Sequence, residues 1–385
     1  MFLPPSLLPI ILLFTLPHLA LSTDPSGCSC FRTNGSSAGY FLHHQFQDFR
    51  NIANTSSPPA LITNASEATA AGATSPFFES EEWTKEWAVQ NWNNSDSFGK
   101  ADGVEPVFKV NTANNVYIEQ DNSTSPSTTH LTLRTARHPT FQSVAEIDSL
   151  STSFHYISLR LRARVIGSPG ACAGIFTYLP GTASFPVQEA DIEILTRDPR
   201  NKVQYTNQPS TNAAGDDVPQ ATVNGSLPAG RDWSQWNVFR VDWMPKMSTW
   251  YVNGEKVAEI GFQTPRDPAG LILNMWSDGG VWTGNMSIYD QAFLQVQWIE
   301  VAYNGSDIVI AGKRSEIGAG GGLEKRKGPK GCEVVCGVDE NIQEIGTPVL
   351  LFNNTGDARA SMGKGMGDIA WIPLALVASA MFGYL

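Results

Sequence analysis

The chain has 385 residues, with 26 Lys and Arg against 37 Asp and Glu, and a formal net charge of −11. An acidic chain whose only basic grouping in the body is the alternating Arg160, Arg162 and Arg164 is not built to track phosphates, which excludes nucleic acid as a partner. With its two apolar ends set aside, about 330 residues remain, enough for one large β domain and a tail.

Residues Met1 to about Ser22 form an apolar leader broken by Pro4, Pro5, Pro9 and Pro17. Small residues at Ala20 and Ser22 suit signal-peptidase cleavage, although the usual basic start is missing, and a membrane anchor is the competing reading. Asn-x-Ser/Thr sequons at Asn34, Asn54, Asn64, Asn93, Asn122, Asn224, Asn285, Asn304 and Asn353 agree with a secretory route. Cys28 and Cys30 are too close to pair with each other, and an oxidising compartment favours disulfides. They are expected to bridge to Cys332 and Cys336, tying the two ends of the mature chain and leaving Cys172 free.

Residues 51–76 are rich in Ser, Thr, Ala and Asn and read as an irregular excursion. Strand-like runs follow at Val116–Glu119, Leu131–Arg134, Tyr156–Val165, Gly174–Tyr178 and 189–196. Further runs are Trp236–Trp243, Ser248–Val252 and Leu294–Tyr303, and Asn253-Gly254 after the second of these is a hairpin signal. No long segment has the helical period. The arginine stripe 160, 162, 164 falls within one strand and reads as a solvated or salt-bridged sheet face. Many short strands in one domain predict an all-β, antiparallel β-sandwich of jelly-roll type. Trp236, Trp243 and Trp250 lie in strands and are expected in the core.

Glu189-Ala190-Asp191-Ile192-Glu193 carries the chemistry. As a strand, it places Glu189, Asp191 and Glu193 on one face and Ala190, Ile192 and Ile194 on the other. The Cα atoms of Glu189 and Glu193 then lie roughly 13 Å apart, and side chains leaning inward bring the carboxyl groups to within roughly 6 Å. A retaining glycosidase needs about 5–5.5 Å between nucleophile and acid/base. Like charges on one face repel, so at least one carboxyl tends to stay protonated. A solvated polar edge is the plain alternative, but a sequence that accepts such a cost is using it.

Beyond about Ala311 the pattern stops. A Gly-rich linker follows, with the solvated run Glu324 to Lys330 inside it, and the segment 311–353 is read as linker and cysteine-containing tail. Residues 354–385 combine small residues, a polar spacer and an apolar end, Ile369–Leu385, with no basic residue after it. That is a glycolipid (GPI) anchor signal, with attachment at Asn354 or Gly356; a single membrane span is the alternative. The organisation is therefore 1–22 leader, 23–310 catalytic domain, 311–353 tail and 354–385 anchor signal, with the product secreted and held at the outer membrane face or in the cell wall.

The chain resembles glycoside hydrolase family 16, in particular its fungal cell-wall members. The resemblance rests on Glu189-x-Asp191-x-Glu193, Phe46–Arg50, the strands around Trp236–Trp243 and Trp250–Gly254, and Asn274–Gly284. It implies a concanavalin A-like sandwich with an open cleft. It implies Glu189 as nucleophile, Glu193 as acid/base and Asp191 as the residue that positions Glu189. Trp276 and Trp282 fall where the family places cleft aromatics, and Tyr205 and Asn207 are candidate substrate neighbours. Many members carry a Trp before the catalytic strand, where this chain has Phe176-Thr177-Tyr178. No metal or cofactor is expected. The expected partner is a β-linked glucan, with the chain acting as a monomer. A retaining hydrolase, a transglycosylase that passes the sugar to another sugar hydroxyl, and a non-catalytic wall lectin on the same scaffold are the three readings.

Overall fold

Alternation of apolar and polar residues organises this chain into two packed sheets. The computed structural model describes residues 27–53, 55, 57–99, 106–121, 127–306, 331–341 and 344–353. The leader 1–22, the linker 311–330, the anchor signal 354–385 and the sequons at Asn54 and Asn122 lie outside the described residues.

The first sheet runs in the order Thr222–Ser226, Lys202–Gln208, Gln188–Leu195, Cys172–Leu179, Gly270–Trp276, Gln142–Ser149, with Trp87–Val89 pairing beyond. The second runs Glu255–Ile260, Met247–Val252, Asn237–Met244, Phe154–Gly167, Gln291–Gly305. The far edge of Gln291–Gly305 is shared between Thr129–Arg137 and His43–Asp48. Gln142–Ser149 belongs to both sheets, pairing with Gly270–Trp276 in one and Thr129–Arg137 in the other. Nearly all of the pairing is antiparallel, and the fold is an all-β sandwich that is almost closed.

The core is built by alternate residues. Leu159, Leu161, Ala163 and Val165 face Phe239, Val241 and Trp243 on their own sheet and meet Ala190, Ile192, Ile194, Leu271, Leu273 and Met275 of the other, all at 0% exposure. Each buried Leu or Ile contributes roughly 1.5–3 kcal/mol. Asn253 and Gly254, at φ 51° and 82°, close a two-residue hairpin between Met247–Val252 and Glu255–Ile260. Positive φ at both positions is what that turn demands. Among the described residues helix is confined to short pieces such as Glu81–Thr84, capped by Ser80 over the buried Trp83. Trp243 and Trp250 lie in the core as expected, whereas Trp236 is half-buried on the outer surface, where Arg164 stacks on it at 4.5 Å.

Within the arginine stripe Arg160 is ion-paired and covered, while Arg164 donates to Gln295 at 2.6 Å. Tyr40–Phe41, Cys30–Arg32, Val334–Gly337 and Val349–Asn353 form a separate four-stranded sheet. It is locked by Cys28–Cys336 and Cys30–Cys332, while Cys172 is free and buried. Phe31, Phe41 and Val338 of this small sheet and its adjoining turn pack on Met244 and Ala302 of the sandwich. Asp339 pairs with Arg160 and lies 3.7 Å from Arg240, and Arg160 also sits 3.7 Å from Glu300. The described part of the tail is thus folded onto the start of the chain and the outer face of the second sheet.

Candidate active site

The strand Gln188–Leu195 turns Ala190, Ile192 and Ile194 into the core and Glu189, Asp191 and Glu193 out of the first sheet. Its neighbours complete that face. On one side Tyr178 stands opposite Glu189, Phe176 opposite Asp191 and Gly174 opposite Glu193. On the other, Gln208, Thr206 and Gln204 take the same three places. Gly174 keeps the floor beside Glu193 open: a Cβ there would lie 2.6 Å from Asn274 Oδ1 and 3.2 Å from the Phe176 ring.

The three carboxyls are not equivalent. Asp191 is 1% exposed, and Gln208 Nε2 donates to its Oδ2 at 3.3 Å. Its Oδ1 receives no donor from any described N–H or O–H group. Asp191 also meets the Glu189 carboxyl, and two carboxyls hydrogen-bond only when one of them carries a proton. Burial, then the charges of Glu189 and Glu193, raise Asp191 well above the ordinary carboxylate range. Of the three carboxyls, Asp191 is the one whose surroundings most oppose ionisation. Burial also pushes Glu189 up to about 7, opposed by the hydrogen bond with Asp191. Glu193 is likewise pushed up to about 7, by burial and the Glu189 charge, opposed by the Cys172 thiol and the Trp282 indole. Cys172 Sγ lies 3.8 Å from Glu193 Oε1. With both glutamates pushed up to about 7 by burial and repelling each other when charged, one ionised and one protonated carboxyl is what the pair favours near neutrality.

Trp282 comes from a loop assembled by one side chain. Asp278 Oδ1 accepts from Gly280 N at 2.9 Å and from Thr283 N at 3.1 Å, and its Oδ2 accepts from Trp282 N at 3.3 Å. The Thr283 hydroxyl adds a further bond at 2.5 Å. These donors outweigh burial and hold the Asp278 carboxyl below its usual range. Gly279 is at φ 64°, and a Cβ there would strike Val107 Cγ2 at 2.2 Å, so the tight turn requires glycine. Arg197 Nη1 donates to Val281 O at 2.6 Å. Trp276 lies on the carboxylate face, opposite Cys172, with Lys109 Nζ 4.6 Å above its ring.

Tyr205 and Asn207 stand elsewhere. They alternate with Gln204, Thr206 and Gln208 and so point inward. Tyr205 is fully buried, its ring 5.7 Å from that of Trp250. Asn207 donates to Ile260 O and Phe262 O from a fully buried position. Neither reaches the carboxylates; their neighbours of opposite parity, Gln204, Thr206 and Gln208, stand on the carboxylate face instead.

Sequence reasoning also missed a second acidic pair. Glu146 stands opposite Asn274 and Asp148 opposite Ile272, on the same face about 14 Å across the sheet from the carboxylate strand. Glu146 accepts from Trp92 Nε1 at 2.9 Å and from Asn274 Nδ2 at 3.3 Å. Burial, then the Glu146 charge, push Asp148 up to about 7. The signal was present, since Glu146-Ile147-Asp148 repeats the alternation of 189–193. Among the described residues no group of three or more His, Cys, Asp or Glu side chains converges as a metal site. An apolar hollow of ≈ 290 Å³ lined by Phe78, Trp83, Trp87 and Leu150 lies away from the carboxylates and lacks polar groups suited to a sugar.

The sequence model of the family described as "Glycosyl hydrolases family 16" matches residues 107–300. A protein named "Beta-glucanase" from Bacillus subtilis (strain 168) is 28% identical over 214 residues, covering 54% of this chain and 82% of that one. A "Beta-glucanase" from Bacillus amyloliquefaciens is 26% identical over 210 residues, covering 54% and 80%. Among solved structures, a prokaryotic beta-1,3-1,4-glucanase (lichenase) derived from a mouse hindgut metagenome is similar with a TM-score of 0.46 at 21% identity, over 68% of this chain and 99% of that one.

Proposed function

The chain belongs to glycosyl hydrolase family 16 and is a glycoside hydrolase; from that premise we propose that it is a retaining enzyme acting on β-linked glucan, with Glu189 as nucleophile, Glu193 as acid/base and Asp191 as the positioning residue. The observation that carries the reading is geometric: Glu189, Asp191 and Glu193 project from one face of a single strand, with Asp191 buried between the two glutamates.

In the first step the Glu189 carboxylate attacks the anomeric carbon. Glu193 gives its proton to the glycosidic oxygen as the C–O bond breaks, leaving a glycosyl ester on Glu189. Esterification removes the Glu189 charge that raises Glu193. The newly formed Glu193 carboxylate is then easier to keep ionised and can take the proton of the incoming hydroxyl. That hydroxyl attacks the anomeric carbon, releases Glu189 as carboxylate and returns the proton to Glu193. Water gives hydrolysis and a sugar hydroxyl gives transfer. Beside the carboxylates Gln208 is half-buried, a polar neighbour that an acceptor sugar can meet. Trp276 and Trp282 supply apolar faces suited to sugar rings. The leader, the sequons and the C-terminal small-residue and apolar pattern support secretion and lipid anchoring, and with them a role on cell-wall glucan.

The test is to incubate the secreted chain and its Glu189→Gln variant with β-1,3-, β-1,3/1,4- and β-1,6-glucans and with chitin oligosaccharides, and to size the products. The wild type is expected to shorten a β-glucan, and the variant to lose turnover by at least about a thousandfold while keeping its fold. Longer products as well as shorter ones would identify transfer. Full activity in Glu189→Gln would sink the assignment.

A further inference from the structure

The sequon Asn224-Gly225-Ser226 lies on Thr222–Ser226, at the end of the first sheet. The register sets Asn224 opposite Gln204, and Gln204 opposite Glu193. Residues directly opposite in an antiparallel pair share a face, so the Asn224 side chain stands on the carboxylate face. Two strand spacings, about 10 Å, separate it from the row of Glu193. Gly225 fixes this orientation. It faces inward against Tyr205, and a Cβ there would come within 2.7 Å of the ring. Its neighbours Asn224 and Ser226 therefore face outward together, and both are exposed.

Other sequon asparagines use their side chains. Asn304 Oδ1 accepts from Leu42 N at 3.0 Å, Asn34 Oδ1 from Arg240 Nη1 at 3.2 Å and Asn93 Oδ1 from Ser95 N at 3.0 Å. The Asn224 amide makes no hydrogen bond to a described side chain or backbone group, and its strand pairs with Lys202–Gln208 alone among the described strands. An accessible acceptor thus sits on an edge strand, the position where covering groups protect unpaired backbone.

We propose that Asn224 carries an N-linked glycan and that this glycan walls the side of the face beyond Gln204, limiting how far a long polysaccharide extends past the carboxylates there. The inference rests on the secretory reading above. It predicts a modification whose position is set by the sheet register, and a preference between polymer and short chains that the carboxylates alone do not set.

The full chain, secreted from a eukaryotic host, is digested and its glycopeptides are mapped by mass spectrometry, with the exposed sequon at Asn285 as internal reference. Asn224→Gln and Ser226→Ala remove the acceptor by different chemistry. A glycan is expected at Asn224 in the wild type and in neither variant. Using the glucan that the wild type cleaves fastest, kcat/KM on the polymer should rise about fivefold in both variants, the factor given by about 1 kcal/mol, with no change on short oligosaccharides. A glycan at Asn285 with Asn224 bare would overturn this inference and leave the secretory reading standing. Bare asparagines at every sequon would overturn both. A glycan at Asn224 with the same polymer-to-oligosaccharide ratio in wild type and variants would overturn the walling role.

Discussion

Trp282 is a loop residue that meets the carboxyl of a strand residue, Glu193. Its indole and the Cys172 thiol favour ionised Glu193, while burial and the Glu189 charge favour the protonated form. Removing the indole donor while keeping an aromatic ring therefore shifts the balance toward the protonated carboxyl. For Trp282→Phe the folded enzyme should bind the Glu193 proton more tightly, so the alkaline limb of kcat/KM moves to higher pH. A hydrogen bond to a charged group contributes roughly 1.5–3 kcal/mol, and about 1.4 kcal/mol is one pKa unit, so the limb should move by about one unit. A pH profile of kcat/KM for the two proteins measures this directly. An unmoved or lowered limb would mean that the indole does not act on Glu193. The role of Trp282 as a ring near the site is implied by resemblance. Its action on Glu193 is not readable from sequence, because it depends on a loop fold held by Asp278 across the bases of two strands. The Cys172 contact is hidden for a similar reason: Cys172 and Glu193 meet only because the pairing places Cys172 opposite Leu195 and Gly174 opposite Glu193.

Period-2 patterns made eight of the twenty described strands legible as elements, while Gln142–Ser149, Lys202–Gln208 and Gly270–Trp276 went unread and the pairing stayed out of reach. The runs at 116–119, 156–165, 236–243 and 294–303 fall inside or almost inside the observed strands Val116–Gln120, Phe154–Gly167, Asn237–Met244 and Gln291–Gly305. Tyr205 and Asn207 show the limit. A strand over 202–208 presents either parity to the carboxylates, and only the register Asp191 to Thr206 decides which. A tyrosine is as much at home in a core as on a sugar platform, so residue type did not settle it. The Asp278 loop is the opposite case: short-range geometry dominates, and the Asp-Gly-Gly turn signal marks it. Asp278→Ala should therefore act on presentation rather than on the sandwich. The backbone N–H groups of Gly280 and Trp282 would lose their acceptor but can turn to water, whereas Thr283 is fully buried and its N–H would be left unsatisfied, which is the source of the expected stability loss. A drop in kcat/KM of about tenfold to a hundredfold is expected, with a stability loss near 1 kcal/mol, read from parallel kinetics and thermal unfolding. A large fall in melting temperature with unchanged kcat/KM would reverse that assignment.

At the scale of the whole molecule, the two disulfides close almost the same loop. Cys28–Cys336 spans 308 residues and Cys30–Cys332 spans 302. In the chain-entropy view, the first bridge to form removes the freedom of a loop of that length, a stabilisation of roughly 5–6 kcal/mol. The second then closes only the short remainders between 28 and 30 and between 332 and 336, worth about 2 kcal/mol. The bridges should thus be strongly non-additive. Cys30→Ser with Cys332→Ser should cost about 2 kcal/mol, and replacing all four cysteines should cost about four times as much. The full loss also frees Asp339 from Arg160 and Arg240, leaving two buried guanidiniums with fewer acceptors. Catalysis should respond differently. The small sheet packs on the outer face of the second sheet, whereas Glu189, Asp191 and Glu193 project from the first, with the core between them. At a temperature where every variant is folded, kcat on a short oligosaccharide should therefore be unchanged within about twofold. Denaturant titration together with kinetics at low temperature tests both halves. Equal stability losses in the two-cysteine and four-cysteine variants would refute the nested-loop account, and a parallel loss of kcat would show that the small sheet and the carboxylate face are coupled through the core.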